Sequence, residues 1–277
     1  MKQAVFLVTS LAGVKKLTFK QKIKALLDEQ AHVRIVLAMI KFNDYDTAER
    51  QIKRLFVGHE QLIELITLAK IVNQYQGVPV PTNEQFDSGF EQLPNHRFEP
   101  TQDMANPTIR YIQDDEIVAE AQLDESNQPL LKTKLENHQP VQTATYENGQ
   151  QFGLLEYDAG ELNQALLLNA AGQLIFRFIR HQQPVTYAYT MGRTSKLAFT
   201  NILAEVDDDR HVVYQATEQK AYFEVVDYQN YQRFDSVEAF YAQLLNQVVS
   251  DDALLFIDLN DNPKLSPYLP QQLIFNY

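Results

Sequence analysis

Apolar and polar positions follow three successive regimes along this chain. Over residues 3–76, short apolar runs are separated by segments whose apolar positions fall three and four apart. Ala4-Val5-Phe6-Leu7-Val8 is continuous, the pattern of a strand covered on both faces. Thr18-Phe19-Lys20-Gln21 then reads as a capping box, with the Thr oxygen accepting from the third backbone N–H and the Gln reaching back. Ile23, Leu26 and Leu27 put an apolar stripe on the helix it opens. Residues 33–40 form a second apolar run, and Asp46-Thr47-Ala48-Glu49 offers a cap to a helix carrying Ile52 and Leu55. The spacing of Leu62, Leu65, Ile66, Ala69 and Val72 predicts a third helix over residues 60–74. Strand and helix alternating at this spacing imply a parallel sheet in a half-Rossmann arrangement.

Gly77-Val78-Pro79-Val80-Pro81 ends that regime, because proline cannot continue a helix and biases its predecessor toward extended geometry. The polar text to about residue 107 reads as a connecting loop. From residue 108 the period shortens to two. Residues 108–112 and 117–121 look like paired strands around an acidic turn. Asn148-Gly149, Ala159-Gly160 and Ala171-Gly172 then place glycines 11 and 12 residues apart, between strand-like segments. Asn-Gly and related pairs supply the positive φ that tight hairpins need, so the expectation is an antiparallel meander extended by residues 211–226. The third regime returns to the first. Phe234-Asp235-Ser236-Val237 opens a helix bearing Phe240, Leu244, Leu245 and Val248, residues 253–258 read as a buried strand, and residues 273–275 start one more strand. The expected organisation is a Rossmann-like α/β part over 1–95, an antiparallel β insertion over 96–233, and a return to the α/β part over 234–277.

Composition narrows the function. With 45% hydrophobic and 22% charged residues in 277, the chain can bury a sizeable core and is not disordered as a whole. The lack of cysteine excludes disulfide scaffolds, thiolate nucleophiles and cysteine-held metals. No apolar run approaches the ~20 residues of a bilayer span, and the N-terminus lacks the pattern of a signal peptide. The expectation is a cytoplasmic protein without a transmembrane segment, with peripheral membrane association left open. The net charge of −12 conceals an asymmetry: residues 1–76 hold 12 basic and 7 acidic residues, the remainder 12 and 29. So acidic a remainder argues against a nucleic-acid partner. In the basic part, Lys15, Lys16, Lys20, Lys22 and Lys24 crowd one loop and helix start, as a solvated face or as a surface for an anionic ligand.

No motif names a reaction. His32, His59, His96, His138, His181 and His211 are scattered, with no H-E-x-x-H. Ser10 lacks a G-x-S-x-G context, and no Walker A run or G-x-G-x-x-G follows the first strand. Ser10-Leu11-Ala12-Gly13 does occupy the carboxyl end of that strand, where ligands approach open α/β sheets; an ordinary turn is the alternative. The clusters Asp114-Asp115-Glu116, Asp207-Asp208-Asp209 and Asp251-Asp252 offer oxygen ligands or ordinary Asp turns. Asp258 and Asp261 stand at a strand exit, where helix capping is expected. The stretch Tyr228 to Phe234 is aromatic and amide-rich, suited to carbohydrate or extended-peptide contact, or to cross-strand packing.

Three stretches carry a resemblance: Val5-Phe6-Leu7-Val8-Thr9-Ser10; the hairpin series from Leu154-Leu155-Glu156-Tyr157-Asp158-Ala159-Gly160 to Gly172-Gln173-Leu174-Ile175-Phe176; and the return Phe234-Asp235-Ser236-Val237-Glu238-Ala239-Phe240 with Leu254-Leu255-Phe256-Ile257-Asp258. In layout the chain resembles the N-terminal, acceptor-side half of the GT-B glycosyltransferases that decorate wall teichoic acid. It equally resembles that half of the accessory Sec glycosyltransferase and of its glycosylation-chaperone partner, which modify serine-rich adhesins. The resemblance implies a Rossmann-like half of a GT-B fold interrupted by a large antiparallel sheet. It points to Ser10, Gly13, Lys15, Lys16, Lys20, Tyr228 and Tyr231 as acceptor-binding candidates. The inserted sheet would meet an acceptor polymer or polypeptide, a sister glycosyltransferase subunit, or a second copy.

The chain departs from the family where Gly13 stands without a second glycine and where Asn276-Tyr277 takes the place of the acceptor-side histidine. The donor-binding half is also missing, so no cofactor, metal or catalytic residue is assigned and a nucleotide-sugar site would come from another half or a partner. The expectation is an acceptor-recognising half, inactive in isolation. The alternatives are a non-enzymatic adaptor or chaperone subunit paired with a complete glycosyltransferase, and an unrelated hydrolase or transferase with a scattered site.

Overall fold

The computed structural model describes residues 3–101, 106–190, 197–199, 212–250, 252–270 and 272–277. Strand β1 (Gln3–Val8) leads through α1 (Leu11–Val14) and α2 (Leu17–Asp28) to β2 (His32–Leu37), α3 (Tyr45–Leu55), β3 (Ile63–Thr67) and α4 (Leu68–Val72). Then come β4 (Asn95–Phe98), β5 (Thr108–Gln113), β6 (Glu116–Leu123), β7 (Pro129–Glu136) and β8 (Gln139–Glu147). The series continues with β9 (Gln150–Asp158), β10 (Glu161–Leu168), β11 (Leu174–Thr190), β12 (Leu197–Phe199), β13 (Val212–Asp227) and β14 (Gln232–Phe234). Helix α5 (Val237–Val248), β15 (Leu254–Ile257), α6 (Asn262–Leu265) and β16 (Ile274–Asn276) complete the order.

Two sheets result. The first is parallel and five-stranded, in the order β16-β15-β1-β2-β3, with β1 at its centre between β15 and β2. Val5, Phe6, Leu7 and Val8 are wholly buried, as their continuous apolar run requires. Phe6 stacks on Phe256 across β1 and β15 at 4.4 Å. The second sheet is antiparallel and 11-stranded, running from β14 through β13, β11 and β10 down to β4, with β12 attached to β11. Four of its hairpins turn on two residues that both have positive φ: Asp114-Asp115, Asn137-His138, Asn148-Gly149 and Ala159-Gly160. This left-handed backbone matches the twist of the flanking strands.

One apolar core joins the sheets. Phe42, on the turn after β2, packs against Phe152 of β9 at 5.9 Å and Phe178 of β11 at 6.1 Å. Phe240 of α5 closes the same junction against Phe176 and Phe178, at 4.9 and 5.4 Å. Gly153 makes room for it, since a Cβ there would stand 2.5 Å from the Phe42 ring and 2.6 Å from Thr145 Oγ1.

The structure corrects several local expectations. Residues 60–74 are not one helix: Ile63–Thr67 is the edge strand of the parallel sheet, followed by the short α4. Apolar spacing there satisfies both periods, and pairing with β2 decides for the strand. Helix α2 starts at Leu17 without a side-chain cap, so Thr18 lies inside it, and α3 starts at Tyr45, ahead of Asp46, also without one. Residues 77–94 are no plain connector. They form a strap over the outer face of the antiparallel sheet, bonded backbone to backbone between Val78 and Leu174 in both directions. Glu84 clamps Arg177 with both oxygens at 2.7–2.8 Å, and Glu91 pairs with Lys132 at 2.6 Å. Asp207–Asp209, His211 and Asp251 lie outside the described residues.

Candidate functional site

In the parallel sheet, β2 and β3 extend to one side of β1 and β15 and β16 to the other, so β1 marks a topological switch point. Loops at the carboxyl ends of such strands form a crevice. Here the crevice is an open cleft of about 450 Å³ where the two sheets meet. Thr9 and Ser10 enter it after β1, Lys41 and Asp44 after β2, and Asp261 after β15. Glu238 and Tyr241 come from α5 and Phe223 from β13, while Met39, Ile40 and Leu265 give it apolar walls.

Local interactions hold these groups in place. Ser10 is extended, and its Oγ accepts from the Gly13 amide at 3.3 Å, which caps α1 and turns the chain back over the sheet. Gly13 is buried, and a Cβ there would sit 3.4 Å from Asp258 Oδ2 and 3.5 Å from the Tyr277 hydroxyl. Both are ordinary van der Waals distances, so α1 lies against the β15 exit without a glycine being required there. Asp258 is 4% exposed and accepts from Lys16 Nζ at 2.5 Å and from the Asn260 amide at 2.8 Å. Tyr277 donates its hydroxyl to the Leu7 carbonyl at 2.7 Å beneath the loop. Thr9 donates its hydroxyl to Asp261, and Tyr241 donates to the Ala38 carbonyl at 2.5 Å. Asp261 thus bonds Thr9 instead of capping α6 with its side chain, and Asp258 holds a lysine as well as its own turn.

Electrostatics set the protonation of the cleft. Burial holds the Asp261 carboxyl above the ordinary carboxylate range; the Thr9 hydrogen bond opposes this and the charge of Asp258 adds to it. Burial raises Asp44 as well, against the pull of Lys41 and Lys15. Burial also pushes Tyr241 far up, so its hydroxyl stays a neutral donor. Two carboxyl groups with raised proton affinity and a threonine oxygen on one apolar-walled cleft can accept hydrogen bonds from ligand hydroxyls. A carboxylate of raised pKa can also take a proton from one. Among the described residues, no group of three His, Cys, Asp or Glu is placed to hold a metal ion.

Of the residues singled out in the sequence, Ser10 lines the cleft, Gly13 packs behind it, and Lys16 is paired to Asp258. Lys15 is exposed and acts on Asp44 through its charge, while Lys20 is exposed on α2. Tyr228 lies elsewhere. It joins the outer-face cluster of Leu154, Leu166, Leu168 and Leu174 and accepts from Arg177 Nε at 3.2 Å. Leu155, Ala165 and Leu167 alternate with those leucines and belong to the core on the other face. Tyr231 is 83% exposed, with φ of +51°, in the turn between β13 and β14. Thr9, Lys41, Asp44, Glu238 and Tyr241 went unmarked in the sequence. For the first three a signal existed, as polar residues just past an apolar parallel strand.

No protein-family model matches the sequence, and no curated protein matches it. Solved structures do match in fold. A chain of the glycosylation-associated Gap123 complex from Streptococcus agalactiae aligns with 100% of this chain and 51% of its own, at 12% identity and a TM-score of 0.51. TarM aligns over 100% and 49%, at 11% identity and a TM-score of 0.49. The GtfA/B complex bound to UDP and GlcNAc aligns over 100% and 48%, at 12% and 0.47. The chain therefore spans about half the length of the solved chains it matches, and at such identities the likeness is one of fold. No helix among the described residues is long and apolar enough to cross a membrane.

Proposed function

We propose that this chain is the acceptor-side half of a GT-B-type glycosyltransferase, with a Rossmann-like part over 1–95 and 234–277 and an antiparallel insertion over 96–233. The observation that carries this reading is the match to the Gap123 chain, which takes in the whole of this chain, both sheets together. The position of the cleft supports it, since the crevice lies at the switch point where an α/β half receives its ligand. In this reading a hydroxyl-bearing acceptor enters between Thr9, Asp44 and Asp261. The carboxylates accept its hydrogen bonds beside Ser10, and the exposed Lys15 and Lys20, outside the lining, would attract an anionic acceptor. Gly13 and Lys16 shape the loop from behind, and Tyr228 and Tyr231 belong to the insertion's own contact surface. The donor sugar would be held by another half or by a sister subunit.

Calorimetric titration of the purified chain with a serine-rich polypeptide and with a ribitol-phosphate oligomer tests this. One of the two binds, and Asp261→Asn weakens it about tenfold, as expected for a lost hydrogen bond to a charged group. UDP-GlcNAc does not bind. Tight UDP-GlcNAc binding with neither acceptor bound overturns the reading. A second reading, an adaptor subunit paired with a complete glycosyltransferase, is favoured by the match to a chain solved within the Gap123 complex. It predicts a stable complex with such an enzyme that is indifferent to Asp261→Asn.

A further inference from the structure

A second hollow lies apart from the cleft, between the strap and the outer face of the antiparallel sheet, with a volume of about 470 Å³. Its floor is Leu154 of β9 and Leu168 of β10, 1% and 5% exposed. Phe86 and Val80 of the strap form one wall. Phe86 is held edge-on to the buried Phe90, with ring centres 6.0 Å apart and planes at 83°, so its orientation is set before any ligand arrives. Three amides from three separate segments border the hollow: Gln85 on the strap, Gln151 on β9 and Gln173 after β10. No charged side chain lines it, although 22% of the chain is charged.

Its walls are braced. Gln173 Oε1 accepts from Asn169 Nδ2 at 2.9 Å, which turns its amino group away from Asn169. Asn169 Oδ1 accepts from the Ala171 and Gln173 amides, both at 2.9 Å, fixing the turn at the rim. Gln85 donates to the Val80 carbonyl at 3.2 Å, which leaves its oxygen as an acceptor. The Val78–Leu174 backbone pair and the Glu84–Arg177 clamp hold the strap over the sheet.

We infer that this hollow is a binding site for a neutral saccharide unit. Amide groups both donate and accept, matching ligand hydroxyls that do the same. The apolar floor and the Phe86 ring suit the C–H face of a pyranose, and pockets of a few hundred Å³ accommodate such a unit. An anionic sugar finds no cation in the lining. An extended peptide is disfavoured for a separate reason: β9 is paired on both sides by β8 and β10, and β10 by β9 and β11, so the floor has no free ladder to add a strand to.

Saturation-transfer NMR on the purified chain, with methyl α-glucopyranoside and methyl N-acetyl-β-glucosaminide as probes, tests the site. Millimolar binding of at least one probe is expected, with little transfer to glucuronate or to an acetylated Ser-Gly peptide. Ala171→Phe, which fills the hollow from an exposed turn, abolishes the signal, and Gln151→Ala weakens it severalfold, both with an unchanged circular dichroism spectrum. Asp261→Asn leaves the signal intact, which separates this site from the cleft. Absence of transfer to both glycosides, an unchanged signal in Ala171→Phe, or stronger transfer to glucuronate or the peptide overturns the inference.

Discussion

The two sheets solve the same burial problem in opposite ways. The parallel sheet is short-stranded, with four consecutive residues of its central β1 wholly buried, so nothing along that strand meets a ligand. Its chemistry is pushed to the strand ends, where Thr9, Asp44 and Asp261 gather. The antiparallel sheet is long and half-covered. Every described residue of β7 is at least partly exposed, and the outer face depends on the strap for its two small apolar clusters. A ligand can therefore meet the face of the antiparallel sheet, but around β1 only the loops at the strand ends.

The largest effect should come from the shared junction. Phe42→Ala removes a ring 1% exposed between the sheets and should cost about 3–5 kcal/mol in urea unfolding, with both sheets lost in one transition. Two separable transitions in the wild-type chain would break the picture of a common core. Gly153→Ala, which drives a methyl into Phe42 and Thr145, should cost about 1–3 kcal/mol by the same measurement.

The strap is a smaller test, specific to the half-covered sheet. Arg177→Ala leaves Glu84 unpaired at a partly buried site and should cost about 2 kcal/mol, less than for a fully buried pair. Limited proteolysis should then cut within residues 78–93 while β1 and β2 stay protected. Behind the cleft, Lys16→Ala removes the partner of a nearly buried Asp258, but the pair is open on the lysine side, so about 1 kcal/mol is expected from thermal unfolding.

The subtlest test is pH. Asp261 titrates higher in the folded chain than unfolded, so between its ordinary value and the raised one the folded state holds more protons. Stability contributed by this group therefore falls as pH rises through that window. Asp261→Asn lacks this slope. The Tm of the wild-type chain relative to the variant should rise as pH is lowered from 7 toward 4, and a constant difference would show that Asp261 is not held protonated by burial.

Much of the fold was readable before any coordinates. The apolar runs at 4–8 and 254–257 became central parallel strands, Ser236 capped α5 with its Oγ on the Ala239 amide, and Asn148-Gly149 and Ala159-Gly160 became hairpin turns. Misreadings occurred where one pattern fits two structures. Residues 63–67 satisfy both helical and strand spacing, and form a strand where a helix is predicted. The acidic turn expected between residues 112 and 117 is there, on Asp114-Asp115, whereas Asn137-His138 makes a left-handed turn without the glycine that would announce it. The site was harder. Ser10 and Gly13 were marked because they follow a strand, yet Gly13 proved to lie buried behind the cleft and Lys16 to hold Asp258.

What the sequence determined by itself was local: which segments are apolar on two faces, which turn, and which begin a helix, because those choices depend on neighbours within a few residues. Which groups share a cleft was decided only by the tertiary structure. Thr9 and Asp261 stand 252 positions apart and are joined by a hydrogen bond because β1 and β15 lie side by side. Tyr228 and Ser10 were grouped in the sequence and then separated, because the turn after β13 lays that tyrosine on the outer-face leucines beside Arg177.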